Sequence, residues 1–245
     1  MYRLLFIASV AHATMYDAGQ VPLQMPGRDV VEQLTLTQDL RYVFPMNDAH
    51  GHARLESLGD IIEHPSSTTS SIIIDVPLDA TLPGSVIFSA NSSDSLEPAI
   101  WTSSASLIHL EHVGIRKGGM ISMPTLYPAA LSLDSPYISL PKEIFNVLLQ
   151  AAETSFERNY VVHCALISRF PDLIFGVEAV DDSDENGDFE VQEVVVTPRQ
   201  YVFETEGQCM LLARRAVSGR SVIGWAAVRG RKVVLDLGRE RLGFF

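Results

Sequence analysis

A chain of 245 residues with 47% hydrophobic content and a mean hydropathy of +0.15 is too apolar to stay disordered, and it is long enough for one sizeable core or two small ones. Its 30 acidic residues against 18 basic ones give a formal net charge of −12. Such a surface repels phosphate backbones and anionic headgroups, which argues against nucleic acid and anionic membranes as partners and otherwise serves solubility.

In chain order, residues 1–13 carry the marks of a secretory signal peptide. Arg3 supplies a positive start, Leu4 to Ala11 an apolar stretch, and Ala11-His12-Ala13 a small-x-small cleavage site. A buried first strand is the alternative. No apolar run of about 18 residues occurs elsewhere, so no membrane span is expected. The closing Arg241-Leu242-Gly243-Phe244-Phe245 lacks the hydrophobic tail of a lipid-anchor signal.

Residues 14–71 read as a short amino-terminal region and a Ser/Thr-rich connector. Pro22, Pro26, Pro45 and Pro65 break it, and Ser66-Ser67-Thr68-Thr69-Ser70-Ser71 ends it. From there the text turns β-like. Ile72-Ile73-Ile74, Ser85 to Phe88, Ser106 to Leu110 and Ala130 to Leu133 are short β-branched or large apolar runs separated by turn residues. One helix interrupts them: Pro141 stands at its first turn, and Ile144, Phe145, Leu148, Leu149 and Ala152 recur at helical spacing. Further strands are expected at Asn159 to Cys164, Leu173 to Phe175, Val194 to Val196, Gln200 to Phe203, Met210 to Leu212 and Val233 to Leu235. The fold class is therefore mostly β, with one or two short helices. Gly118-Gly119 reads as a hairpin turn, and no repeat of fixed period appears.

The only two cysteines are Cys164 and Cys209. A leader with an even cysteine count fits one disulfide in an oxidising compartment. It would close a loop of about 45 residues, worth roughly 4 kcal/mol on the chain-entropy model. Two unrelated free thiols are the alternative. Zinc fits poorly, since neither cysteine has a CxxC partner or a histidine cluster beside it.

Roughly 160 residues, from about Gly84 onward, resemble the second lobe of pepsin-like aspartic peptidases. Gly84 to Ser89 followed by Trp101 is similar to the opening of that lobe. Leu131-Ser132-Leu133-Asp134-Ser135-Pro136-Tyr137-Ile138-Ser139-Leu140-Pro141 resembles its apolar strand, Asp-Thr/Ser-Gly turn and helix start. Val162-His163-Cys164 and Phe170 to Phe175 look like "V-x-C … L-P-D-(I/L)-x-F". Pro198 to Tyr201 with Cys209 looks like "P-x-x-Y … C", which makes Cys209 the expected disulfide partner of Cys164. Ser221 to Trp225, Val233 to Asp236 and Arg241 to Phe244 resemble "W-I-L-G-D … V-V-F-D … R-I-G-F". The resemblance implies a pepsin-like acid-protease lobe over residues 72–245, a peptide or protein ligand, and a first lobe that is missing or reduced. A second copy or a separate lobe would cover the face left open.

An aspartic peptidase needs two carboxylates sharing one proton and one water, one acting as base and the other as acid. The resemblance places Asp134 as one of them. Pro136 stands where glycine is expected, without an N–H and with ring bulk, and Tyr137 replaces a small hydroxyl residue. No partner is legible: Asp17-Ala18-Gly19 has no lobe-like continuation, and Asp75 is followed by Val76-Pro77. The expectation is an aspartic-type endopeptidase homologue impaired in cleavage, with no cofactor. The alternatives are a non-catalytic binding or inhibitor module on the same fold, and a calcium-binding extracellular domain.

The calcium alternative rests on Asp182-x-Asp184-x-Asn186-Gly187-x5-Glu193, which satisfies the spacing of an EF-hand loop. Its flanks are strand-like, so an acidic hairpin loop is the competing reading. His109-x-x-His112 would splay across a strand, and His50-Gly51-His52 reads as surface histidine beside His64. Asn91-Ser92-Ser93 is a glycosylation sequon, usable in a secreted chain. The expected location is secreted or lumenal.

Overall fold

The computed structural model describes residues 14–16, 22–23, 40–44, 69–79, 82, 84–90, 100–105, 107–125, 128–132, 135–155, 160–180, 189–205, 207–217 and 221–245. The strands begin with β1 (Thr14–Tyr16), β2 (Pro22–Leu23), β3 (Leu40–Phe44), β4 (Ser71–Val76) and β5 (Gly84–Ser89). Next come β6 (Ile100–Trp101), β7 (Leu110–Lys117), β8 (Gly119–Pro124), β9 (Ala129–Ser132) and β10 (Ile138–Leu140). Helix α1 (Lys142–Ala151) separates these from β11 (Val161–Val162), a 3-10 helix at Cys164–Arg169, β12 (Asp172–Val180) and β13 (Phe189–Val196). Helix α2 (Pro198–Tyr201), β14 (Val202–Thr205), β15 (Gln208–Leu211), β16 (Ala213–Arg215) and β17 (Ser221–Gly224) follow. A 3-10 turn at Trp225–Val228, β18 (Arg231–Asp236) and β19 (Arg241–Phe244) complete the order. The fold is mostly β and mostly antiparallel.

Eight strands form one sheet in the order β2-β1-β3-β5-β4-β18-β19-β6. Strand β4 lies inside it, with Ile73 opposite Ile87 on β5 and Val234 on β18. Its side chains alternate between faces: Ile72, Ile74 and Val76 are fully buried, while Ile73 and Asp75 on the other face are partly exposed. Because β3 pairs with β5, with Tyr42 opposite Val86, strands from residues 14–44 and from the carboxy-terminal half share this sheet.

A second sheet, β13-β12-β7-β8, is antiparallel throughout. Gly118, at φ 73°, makes the β7–β8 turn, a conformation that glycine adopts without steric cost. One face of this sheet brings Val113, Ile115, Leu173, Phe175, Val194 and Val196 into the core. Helix α1 packs against β7, β8 and β16 and buries Ile144, Phe145 and Leu148. Those side chains are worth about 1.5–3 kcal/mol each. Phe145 meets Tyr160 edge-on at 6.0 Å.

Three expected strands come out differently. In the Ser106 to Leu110 run, Ile108 makes an isolated bridge to Ala129, and the strand proper starts at Leu110. In the Asn159 to Cys164 run, the described residues from Tyr160 on give a strand at Val161–Val162 before the chain turns at Cys164. Gln200 and Tyr201 lie in α2, because Pro198 pre-sets the first helical φ and the Thr197 N–H donates to Gln200 Oε1 at 2.8 Å. The strand begins only at Val202. Among the described residues no helix is long and apolar enough to cross a membrane.

Candidate functional site

Two strand pairs break the antiparallel rule. β9 runs parallel to β17, with Ala129 opposite Ser221 and Ser132 opposite Gly224. β10 runs parallel to β16, with Ile138 opposite Ala213 and Leu140 opposite Arg215. β10 also packs against β17, and the residues just before it, Ser135 to Tyr137, lie over the end of β17. Parallel neighbours cannot be joined by a tight hairpin, so each pair is made by chain segments distant in sequence.

The crossing is held at close range. A β-carbon on Gly224 would lie 2.4 Å from Tyr137 O, 2.6 Å from Ser135 O and 2.7 Å from the carbonyl carbon of Pro136, so only glycine lets the two backbones meet. The Trp225 N–H donates to Ser135 O at 3.0 Å. The Tyr137 N–H donates to Ser135 Oγ at 3.3 Å, bridging Pro136, which has no N–H of its own. Asp134 lies outside the described residues; its neighbours Ser132 and Ser135 are fixed by the β17 pairing and the Trp225 bond.

On the β10 side, Arg214 Nε donates to Ser139 Oγ at 3.2 Å, and its guanidinium carbon stands 5.8 Å from the Tyr137 ring centre. The side chains described at the crossing are therefore Ser135, Pro136, Tyr137, Ser139, Arg214 and Trp225, and none of these carries a carboxylate. Asp75, one of the two partner acids weighed from sequence, sits within β4 opposite Ser85 and Lys232 in the large sheet.

Cys164 and Cys209 are joined in a disulfide with their α-carbons 5.4 Å apart. The bond ties the 3-10 helix to β15 beside a cleft of about 1280 Å³, which Arg116, Lys117, Asp172, Arg199 and Glu204 line with mixed charge. The cleft does not reach Ser135–Tyr137. The crossing, which holds the segment next to the expected Asp134, is the candidate taken from the sequence, and the cleft is separate from it.

Beneath the cleft, Arg229 is 4% exposed and donates to the backbone oxygens of Leu78, Gln200 and Val202 at 2.5, 3.0 and 3.0 Å. Burial pulls its pKa down to about 10, against the opposite pull of Asp79. Gln200 Nε2 returns bonds to the oxygens of Ala227 and Arg229 at 3.2 and 2.7 Å. Tyr201 OH donates to Pro171 O at 2.6 Å, and burial, then the Asp172 charge, hold that phenol well above its ordinary value.

Glu193 lies in β13, which pairs with β12 from Val180 opposite Phe189 to Leu173 opposite Val196. Its carboxylate accepts from Arg116 Nη1 at 2.7 Å. By register this ion pair reaches diagonally over fully buried Ile174, since Glu193 stands in the Gly176–His112 row and Arg116 opposite Asp172. The flanks of the 182–193 segment are thus two strands of a hairpin, not the two helices an EF-hand requires. Asp182, Asp184 and Asn186 lie outside the described residues, as do Asn91, Asp17, His50, His52 and His64. His109 is exposed, whereas His112 lies over Gly176, whose β-carbon would come 2.3 Å from the imidazole. Among the described residues no group of three or more His, Cys, Asp or Glu side chains could hold a metal ion.

Sequence reasoning passed over Arg214 and Arg229. Nothing in their local text marks them, because each is placed by a pairing or a backbone contact with a distant segment. No protein-family model matches the chain, and no curated protein matches it.

Proposed function

We propose that the chain is a homologue of pepsin-like aspartic peptidases, built on the second lobe and impaired in peptide cleavage. The observation that carries the reading is the Gly224 crossing. The segment that the motif order assigns to the catalytic turn, Ser135 to Tyr137, is the one pressed against the glycine of the Ile223-Gly224 pair. Such contact is what an Asp-bearing turn needs if its backbone is to be fixed against a neighbouring strand.

The impairment follows from chemistry. A shared-proton site needs a second carboxylate, and a Pro-Tyr continuation removes the backbone N–H and the small hydroxyl that would serve the first. What remains open to such a surface is binding of a peptide or protein ligand. The Cys164–Cys209 disulfide is compatible with a secreted or lumenal setting.

The test is an acid-pH peptide-cleavage assay on the full chain, with and without pepstatin, beside the Asp134→Ala variant. The expected result is no pepstatin-sensitive turnover in either protein. Turnover that pepstatin blocks and Asp134→Ala abolishes would overturn the reading.

A further inference from the structure

The two edges of the four-stranded sheet are treated differently. Edge strand β13 is guarded: Glu190 and Glu193 are exposed along it, and Arg231 donates to Val195 O. Edge strand β8, Gly119-Met120-Ile121-Ser122-Met123-Pro124, carries no charge. All of it except Met123 is exposed, with Ile121 at 53% and Met120 at 42%. Among the described residues β8 pairs with β7 alone. Charges, bulges or covering segments normally blunt such an edge, since a bare row of N–H and C=O groups invites another strand.

The hydrogen-bond alternation shows which groups are bare. The Thr125 N–H donates to Glu111 O at 3.0 Å. The positions opposite each other two residues on, Val113 with Met123 and Ile115 with Ile121, therefore also direct their backbone groups at one another. Met120 and Ser122 direct theirs outward, and Pro124 has no N–H to offer.

We infer that β8 is a homodimer interface, pairing antiparallel with the β8 of a second copy about a two-fold axis at Ile121. In that register Met120 exchanges both backbone bonds with Ser122 of the other copy, twice by symmetry. The two Ile121 side chains meet as a close non-hydrogen-bonded pair. The strand suits a second copy because it sets no like charges opposite each other, which matters for a chain of net charge −12. Pro124 opposes a slide of the register in one direction, since a slipped strand would place it where an N–H is needed. The result is one continuous sheet with the charged β13 edges outermost, a closed isologous assembly that cannot grow into a fibre.

The test is sedimentation equilibrium on the full chain from about 1 to about 200 µM, where mass action separates monomer from dimer. A concentration-dependent dimer is expected, and Ile121→Lys should raise its dissociation constant at least about tenfold, because the change places two charges face to face at the axis. Circular dichroism and the unfolding midpoint report whether that variant is folded. Ile121→Cys provides the second arm: under mild oxidant it should form a covalent dimer, while exposed Met120→Cys, facing Ser122 of the other copy, should do so much more slowly. A wild-type chain that stays monomeric throughout, a dimer indifferent to Ile121→Lys, or equal cross-linking at both positions overturns the proposal. A monomer that pairs with a synthetic strand of unrelated sequence also overturns it, reassigning the edge to another protein.

Discussion

The carbonyl oxygen of Tyr137 stands 2.4 Å from the point that a β-carbon on Gly224 would occupy, and Ser135 O stands 2.6 Å from it. Both obstacles are backbone and cannot swing aside. Gly224→Ala must push β17 off the loop, straining the Trp225–Ser135 bond and the pairing with β9. The expected cost is about 3 kcal/mol, at the upper end for overpacking, read as a lowered urea midpoint at unchanged slope. Gly118→Ala gives the contrast. Nothing lies within 4 Å of its β-carbon, so only the left-handed φ penalises it, by about 1–2 kcal/mol.

Tyr201 links burial to alkaline stability. Tyr201→Phe removes the 2.6 Å bond to Pro171 O and should cost about 1–2 kcal/mol at neutral pH. The folded state holds the phenol's proton more tightly than the unfolded state does. Its contribution is therefore complete below the ordinary tyrosine value of about 10 and shrinks as pH rises above it. Denaturation of wild type and Tyr201→Phe across that range should show the gap between them closing. A gap that stays constant or widens contradicts the assignment.

The disulfide should account for much of the stability. Opening the Cys164–Cys209 link releases a loop of sequence separation 45, and the double Cys→Ala chain is expected to lose about 4 kcal/mol by the chain-entropy estimate. Thermal unfolding with and without reductant measures it.

Glu193 distinguishes a hairpin from a calcium loop. Its side chain is 37% exposed and Arg116 is 41% exposed, so Glu193→Gln should change stability by no more than about 1 kcal/mol. Calcium would have to take this carboxylate from Arg116. A calorimetric titration with calcium is expected to give no saturable heat, and a saturable signal lost in Glu193→Gln would restore the EF-hand pattern as a binding site.

What the sequence disclosed was mostly local. Helix α1 is announced by Pro141 and by Ile144, Phe145 and Leu148 at helical spacing. The Gly118 turn and the apolar β4 run are equally direct. Where a short polar device competes with a run's propensity, the reading slipped: Thr197, Pro198 and Gln200 cap a turn of helix inside a stretch that looks like strand. Ile108 has strand-like neighbours but finds a single partner, Ala129. The Gly224 crossing was not legible, because it joins two segments about 90 residues apart. Which strands lie side by side, and in which direction, depends on pairings between distant segments that no periodicity encodes. The same holds for Arg214 beside Tyr137 and for Arg229 among its three carbonyls.

The parallel pairs also have a consequence in time. Ala129 meets Ser221, and Ile138 meets Ala213, with α1 and several hairpins threaded between. Closing such loops costs entropy before any contact rewards it, so the hairpins β7–β8, β12–β13 and β14–β15 should form well ahead of these pairs. During synthesis, β9 and β10 must wait for these partners until β16 and β17 have left the ribosome. A nascent chain stalled before β16 is expected to expose the Ser135–Tyr137 segment to protease, and the same segment should become resistant once β17 and Gly224 arrive.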